Sequence, residues 1–115
     1  MKADVKKLWL KALRSGKYRQ GRDRLRTKTN GYCCLGVLCD VYRKTTKTGK
    51  WVQTDQLWNF EGRSGVLPYK VRRWAGLKQE DPELDPTSFS GNASSVNDLR
   101  RSNFKKIANL IERNL

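Results

Sequence analysis

The sequence predicts a mostly helical α+β domain: about four helices around a buried central helix, with a small two- or three-stranded β element. Three observations carry this. Apolar residues recur at helical spacing near both ends of the chain. The block from Tyr32 to Arg43 is apolar almost all round. A β-prone tetrad, Trp51-Val52-Gln53-Thr54, follows Gly49. The 115 residues fit one domain, 1–115, and are enough to bury a core without metal or disulfide staples.

The first helix is predicted from Val5, Leu8, Trp9, Ala12 and Leu13, spaced to share one face, with Asp4 as N-cap and Gly16 as left-handed C-cap. Lys17 to Lys28 carries no helical stripe; half of its twelve residues are Lys or Arg, and it reads as an ordered loop or arm. Asn30-Gly31 makes a turn into the central helix, Tyr32 to Arg43, in which Gly36 allows another backbone to approach closely. Lys44 to Gly49 is expected to be a polar turn. The strand Trp51 to Thr54 follows, with Thr87 to Asn92 as its expected partner. Pro68 at N1 and Gly76 at C′ bracket a helix with Val71, Trp74 and Ala75 on its apolar face. Gln79 to Pro86 contains two Asp-Pro pairs and reads as a loop. Ser95 to Asp98 signals a short helical turn, and Phe104, Ile107, Ala108, Ile111 and Leu115 form the last helix behind Ser102 as N-cap.

Charge limits function more than fold does. The chain carries 25 Lys and Arg against 11 Asp and Glu, a formal charge of +14. Charge in this excess repels itself, so a partner of opposite sign is expected: phosphates, nucleic acid, anionic membrane or acidic protein. No stretch resembles a signal peptide or a membrane span, so a cytosolic location and no membrane partner are expected. The three cysteines are clustered and odd in number, which is a poor disulfide framework; they read as reduced thiols packed in the central helix. A metal site would have to use Cys33, Cys34, Cys39 and Asp40, and no metal or other cofactor is expected.

The absence of histidine removes Ser–His and Cys–His pairs and most acid–base catalysis. Thr48-Gly49-Lys50 fails as a phosphate loop, because Lys44 and Trp51 stand where glycine and Ser or Thr are needed. Glu61 and Asp98 could pair as carboxylates, but nothing in the sequence brings them together. The expectation is therefore a binding protein and not an enzyme. Arginine grips phosphate with two parallel N–H bonds, and an aromatic ring stacks on a base. The densest arginine cluster is Arg19, Arg22, Arg24 and Arg26; Arg72-Arg73 and Arg100-Arg101 are two further pairs, and Tyr18, Tyr32 and Tyr69 lie near these clusters. No known nucleic-acid-binding signature is present.

Four blocks carry a resemblance. They are Trp9 with Ala12 to Tyr18 and Gln20; Tyr32-Cys33-Cys34-Leu35-Gly36-Val37-Leu38-Cys39-Asp40; Leu67-Pro68 with Val71 and Trp74 to Leu77; and Asn97-Asp98 ahead of Phe104, Ile107-Ala108 and Ile111-Glu112. Across nearly its full length the chain resembles a family of small, mostly uncharacterised proteins of tailed bacteriophages. The resemblance implies a phage origin and the host cytosol. Leu99 to Arg101 depart from the family's usual small residues, so Arg100 and Arg101 are not expected as family features. Gln20, Asp40, Asn97 and Asp98 are polar where packing alone does not require it; they either line a pocket or cap helices and satisfy backbone groups.

The resulting expectation is a non-enzymatic phage counter-defence protein. It would sequester a small phosphate-bearing nucleotide in a basic, aromatic-lined pocket built from Tyr18, Arg19, Gln20, Arg22, Arg24, Arg26, Tyr32, Arg72, Arg73, Asn97 and Asp98. The alternatives are a nucleic-acid-binding regulator or inhibitor of a nucleic-acid-guided defence enzyme, and a protein-only inhibitor of an acidic host enzyme. Homo-oligomerisation is left open.

Overall fold

The structure, a computed structural model, describes residues 1–115. Five helices and one β-hairpin follow in the order α1 (Ala3–Arg14), α2 (Cys34–Thr46), β1 (Trp51–Thr54), β2 (Leu57–Phe60), α3 (Tyr69–Ala75), α4 (Ala93–Asp98) and α5 (Phe104–Asn114). The α+β class with a buried central helix is as expected. No helix is long and apolar enough to cross a membrane.

Helix α2 is the axis of the core: every residue from Cys34 to Tyr42 is buried. Its neighbours are α1, α3 and α4, and α5 closes the far side against α1 and α4. Trp9 is fully buried and its indole N–H donates to the Cys34 carbonyl at 2.9 Å, so the largest core side chain leaves no unmet polar group. Arg14 ties α1 to α5 through Asn109 and Glu112 at about the rim of that packing. The three thiols are free and buried, and burial pushes the Cys33 thiol up to about 12. They pack as small apolar groups.

Gly36 is where the arm meets the core. A β-carbon there would lie 1.8 Å from the Leu25 carbonyl oxygen. The missing side chain lets the arm lie directly on α2, with Leu25 fully buried as its anchor. The arm is stitched further by Gly21 N–H to Tyr32 O, Tyr32 N–H to Arg19 O and Cys33 N–H to Leu25 O. These backbone bonds hold the long irregular segment in place without regular secondary structure.

Several boundaries differ from the sequence reading, each for a local reason. Helix α1 starts one residue before Asp4, so Asp4 sits in the first turn and Lys2 at the N-cap position. Helix α2 starts at Cys34, with the Cys33 sulfur accepting from Gly36 N–H. It then runs through Thr46 and ends with Lys47 in the left-handed region. The expected polar turn is thus shortened to Thr48 and Gly49. Pro68 stands one position before α3, and Gly76 caps it with φ of 72°. Helix α4 is longer than the expected turn, and its cap comes from a distance: Asp81 accepts from Ser94 N–H at 2.9 Å. Asn103, not Ser102, caps α5 by accepting from Lys106 N–H.

The strand partner is also corrected. Trp51 to Thr54 pairs antiparallel with Leu57 to Phe60, in the register Trp51↔Phe60, Val52↔Asn59, Gln53↔Trp58 and Thr54↔Leu57. The two connecting residues, Asp55 and Gln56, both have positive φ, 50° and 68°. That is the type I′ geometry that matches the twist of a hairpin. Thr87 to Asn92 instead closes a local loop, in which Gly91 O accepts from Leu84 and Asp85 N–H and the Asp85 carboxylate accepts from Thr87.

Candidate functional site

The hairpin alternates. Trp51, Gln53, Trp58 and Phe60 share one face, and that face turns towards α2 and the arm. Phe60 is fully buried at its base; Trp51 and Trp58 are half-buried. Between the hairpin, the arm and the last turn of α2 lies a cleft of about 680 Å³. Its walls carry three aromatic rings (Tyr32, Trp51, Trp58) and five cations (Arg26, Arg43, Lys44, Lys47, Lys50) against a single carboxylate, Asp40.

Arg26 occupies the middle of the aromatic set. Its guanidinium carbon is 3.9 Å from the Trp58 ring centre, 5.3 Å from Tyr32 and 5.5 Å from Trp51. Asn30 holds it from behind, accepting from Nε at 3.1 Å and from an Nη at 2.8 Å. The tight loop from Thr27 to Gly31 brings Asn30 back to this position, closed by Thr27 N–H to Gly31 O. A planar cation stacked on indole and hydrogen-bonded at one edge keeps its remaining N–H groups for an acceptor.

Asp40 organises the wall. The helix places it beside Arg43 and Lys44, at i+3 and i+4. Its carboxylate accepts from Tyr18 Oη at 2.6 Å, Trp51 Nε1 at 3.0 Å and Arg43 Nε at 3.0 Å. Burial alone would raise this carboxyl; the donors from Tyr18, Trp51 and Arg43 outweigh burial and hold it below the ordinary carboxylate value. The same contact, with burial as the larger cause, raises Tyr18 well above an ordinary phenol. Burial also raises Tyr32, against the pull of Arg26. Asp40 is therefore ionised and its oxygens are occupied, which makes it a brace for Trp51 and Arg43.

The other three cleft cations, Arg26, Lys47 and Lys50, have no carboxylate within ion-pair distance; across the chain only Arg14, Arg43, Lys44, Arg63, Lys70 and Arg100 do. The Trp58 indole N–H is shielded from solvent and has no acceptor within the protein. An anion with oxygen acceptors would answer both deficits. No three Cys, Asp or Glu side chains converge as a metal ion would require.

A family model described as "Domain of unknown function (DUF8296)" matches residues 1–115. The chain belongs to that family. No curated protein and no solved structure matches it.

Of the residues singled out from the sequence, this DUF8296 chain brings Arg26 and Tyr32 into the cleft. Tyr18 stands behind Tyr32, with ring centres 5.2 Å apart and its hydroxyl spent on Asp40. Arg22 and Arg24 line an adjoining cleft at the hairpin tip. Arg19 is drawn back to the Thr29 carbonyl. Gln20, Asn97 and Asp98 face inward: the Gln20 amide donates to Asn97 Oδ1 at 2.9 Å and to Ser102 O at 2.8 Å, and Asn97 donates to Gly21 O and to Asp98. Asn97 is fully buried. This trio fastens the arm to α4 and satisfies backbone groups, the second of the two roles its polarity allowed. Arg72 and Arg73 sit on α3, bonded to Lys78 O and to the Tyr69 hydroxyl, and do not line the cleft. Trp51, Trp58, Arg43, Lys44, Lys47 and Lys50 were not singled out from the sequence. Their signal was a basic last helical turn followed by two tryptophans seven residues apart, which becomes legible once the hairpin turn is recognised.

Proposed function

We propose that this is a non-enzymatic, cytosolic accessory protein of a tailed phage that binds and sequesters a small phosphate-bearing nucleotide in the cleft between hairpin, arm and α2. The observation that carries the reading is Arg26, stacked among Tyr32, Trp51 and Trp58 with unused N–H groups, beside the unpaired Lys47 and Lys50. A ring can stack on the aromatics while phosphate oxygens take the cations. The reading needs no catalytic group: the cleft's carboxylate is occupied by donors and the chain's thiols are buried. The phage assignment rests on the sequence blocks, above all Tyr32 to Asp40. Sequestering a signal is what such a binder contributes to counter-defence.

Titrating the protein with cyclic, ADP-ribose-type and simple adenine nucleotides, with tryptophan fluorescence as signal, tests this directly. Trp51 and Trp58 report from the cleft wall. Expected is saturable binding of a nucleotide whose logarithmic salt slope is no steeper than about −2, as one or two phosphates allow. Arg26→Ala should weaken it about tenfold or more, the value of a charge-assisted bidentate contact. Binding confined to DNA or RNA and collapsing with salt would overturn the reading in favour of a nucleic-acid partner. Silence with every nucleotide and polymer would point to a protein target.

A further inference from the structure

A second cleft, of about 530 Å³, adjoins the first along the same seam between arm and hairpin. The first cleft lies at the hairpin's base, against Lys50 and Trp51; the second lies at its tip, against Asp55, Gln56 and Leu57. Four residue steps separate Trp51 from Asp55, about 13 Å at the usual rise. Arg26 and Trp58 line the base cleft, and their chain neighbours Thr27 and Leu57 line the tip cleft, so arm and hairpin each run from one cleft to the other.

The tip cleft shares the base cleft's cations but not its aromatic rings. Arg22, Arg24 and Lys28 line it, and none of them makes an ion pair, although Asp23 and Asp55 line it too. Two buried side-chain donors in the whole chain lack an acceptor: Trp58 Nε1 and Arg22 Nε. One belongs to a residue of each cleft. An unmet buried N–H is destabilising, and such groups are rare enough to point to a missing partner. Here both fall on one seam, each beside uncompensated positive charge.

We infer that the seam is a two-phosphate site: the ligand carries a second phosphate group, taken by Arg22, Arg24 and Lys28 at the hairpin tip, while a base stacks at Arg26 and Trp58 between the two phosphates. The chemical class is a dinucleotide, or a nucleotide phosphorylated at both ends. The inference rests on the nucleotide reading above and adds a length and a second charge to the ligand.

Adenosine 5′-monophosphate and 5′-phosphorylated diadenylate serve as probes, with calorimetry as readout. The diadenylate should bind about tenfold or more tightly than the monophosphate, one added charge-assisted contact. The double variant R22Q/R24Q should erase that advantage, bringing the diadenylate down to the affinity of the monophosphate. Arg26→Ala should weaken both probes. Arg22→Lys, which keeps charge but loses the unmet Nε, should cut the diadenylate advantage without lowering the melting temperature. A preference for diadenylate that survives R22Q/R24Q overturns the second subsite and leaves the base-cleft reading standing, as does equal affinity for the two probes. Affinity that climbs with every added nucleotide up to a hexamer, with a steepening salt slope, also overturns it in favour of a polymer track. Failure of both probes overturns the nucleotide reading itself and the inference with it.

Discussion

The two halves of this molecule meet their polar obligations in opposite ways. In the helical half, α1, α2, α4 and α5 bury their apolar faces, and the polar groups that go in with them find partners within the chain: Trp9 with Cys34, Asn97 with Gly21. In the seam half, aromatic rings and cations line two clefts, and the two buried side-chain donors that lack an acceptor both belong to residues there. A half whose groups are satisfied is arranged for stability. A half left incomplete is arranged for something that arrives from outside. If the seam holds the proposed ligand, the difference marks where it binds, and it makes the two halves respond differently to substitution.

The largest effect should come from the satisfied half. Trp9→Ala removes a fully buried ring and its hydrogen bond, and should cost about 3–5 kcal/mol in urea unfolding. A loss below about 1 kcal/mol would mean that the core is not centred where α1 crosses α2, and the contrast between the halves would fail.

How much of this was legible in sequence follows the same division. The helical half is regular, and regular structure leaves periodic traces: Val5, Trp9 and Leu13, or Phe104, Ile107 and Ile111, announce their helices and their buried faces together. Gly36 was readable as a point of close approach, though not that Leu25 was what approached. The seam half is assembled from residues distant in sequence by turns with weak signatures. Asp55-Gln56 adopts the left-handed geometry usually announced by Asn-Gly or Asp-Gly, so β2 was missed and Trp58 with it. Arg26 was visible only as one arginine among four, and nothing in its neighbours' spacing said that Asn30 would turn it onto an indole. Gln20 and Asn97, 77 residues apart, are polar for each other's sake.

Asp40 lies on the border between the halves, buried on the core helix with its oxygens facing the cleft wall, and it offers a sharper test. Asp40→Asn removes the charge that binds Arg43 and Lys44, whose side chains are 40% and 60% exposed. Solvent screens such half-open pairs, so the loss should be about 2 kcal/mol near neutral pH, below the usual figure for breaking a buried pair. The sign with pH follows from the lowered carboxyl. Its contribution is complete above the ordinary carboxyl value of 3.8 and disappears as pH falls through the lower folded-state value. Wild type and variant should therefore differ most near neutral pH and converge as pH falls below 3.8 and through the lower folded-state value. A gap of constant size across that range would mean that the variant acts by shape and not by charge.

The smallest effect on stability, and the one that most divides the halves, should come from Lys47 and Lys50. Neither makes an ion pair, both are exposed, and both line the base cleft. Replacing the two with glutamine removes two like charges from a chain of net charge +14. Unfolding free energy should then change by less than about 0.5 kcal/mol, and any change should be a gain, since self-repulsion falls. Nucleotide affinity should drop all the same, and its salt slope should become shallower as cation contacts to phosphate are lost. If stability falls and affinity does not, these lysines support the fold and the seam is not a binding surface. If affinity falls while stability holds or rises, the charges that the fold tolerates at a cost are the ones a ligand uses, and the base cleft keeps them for that reason.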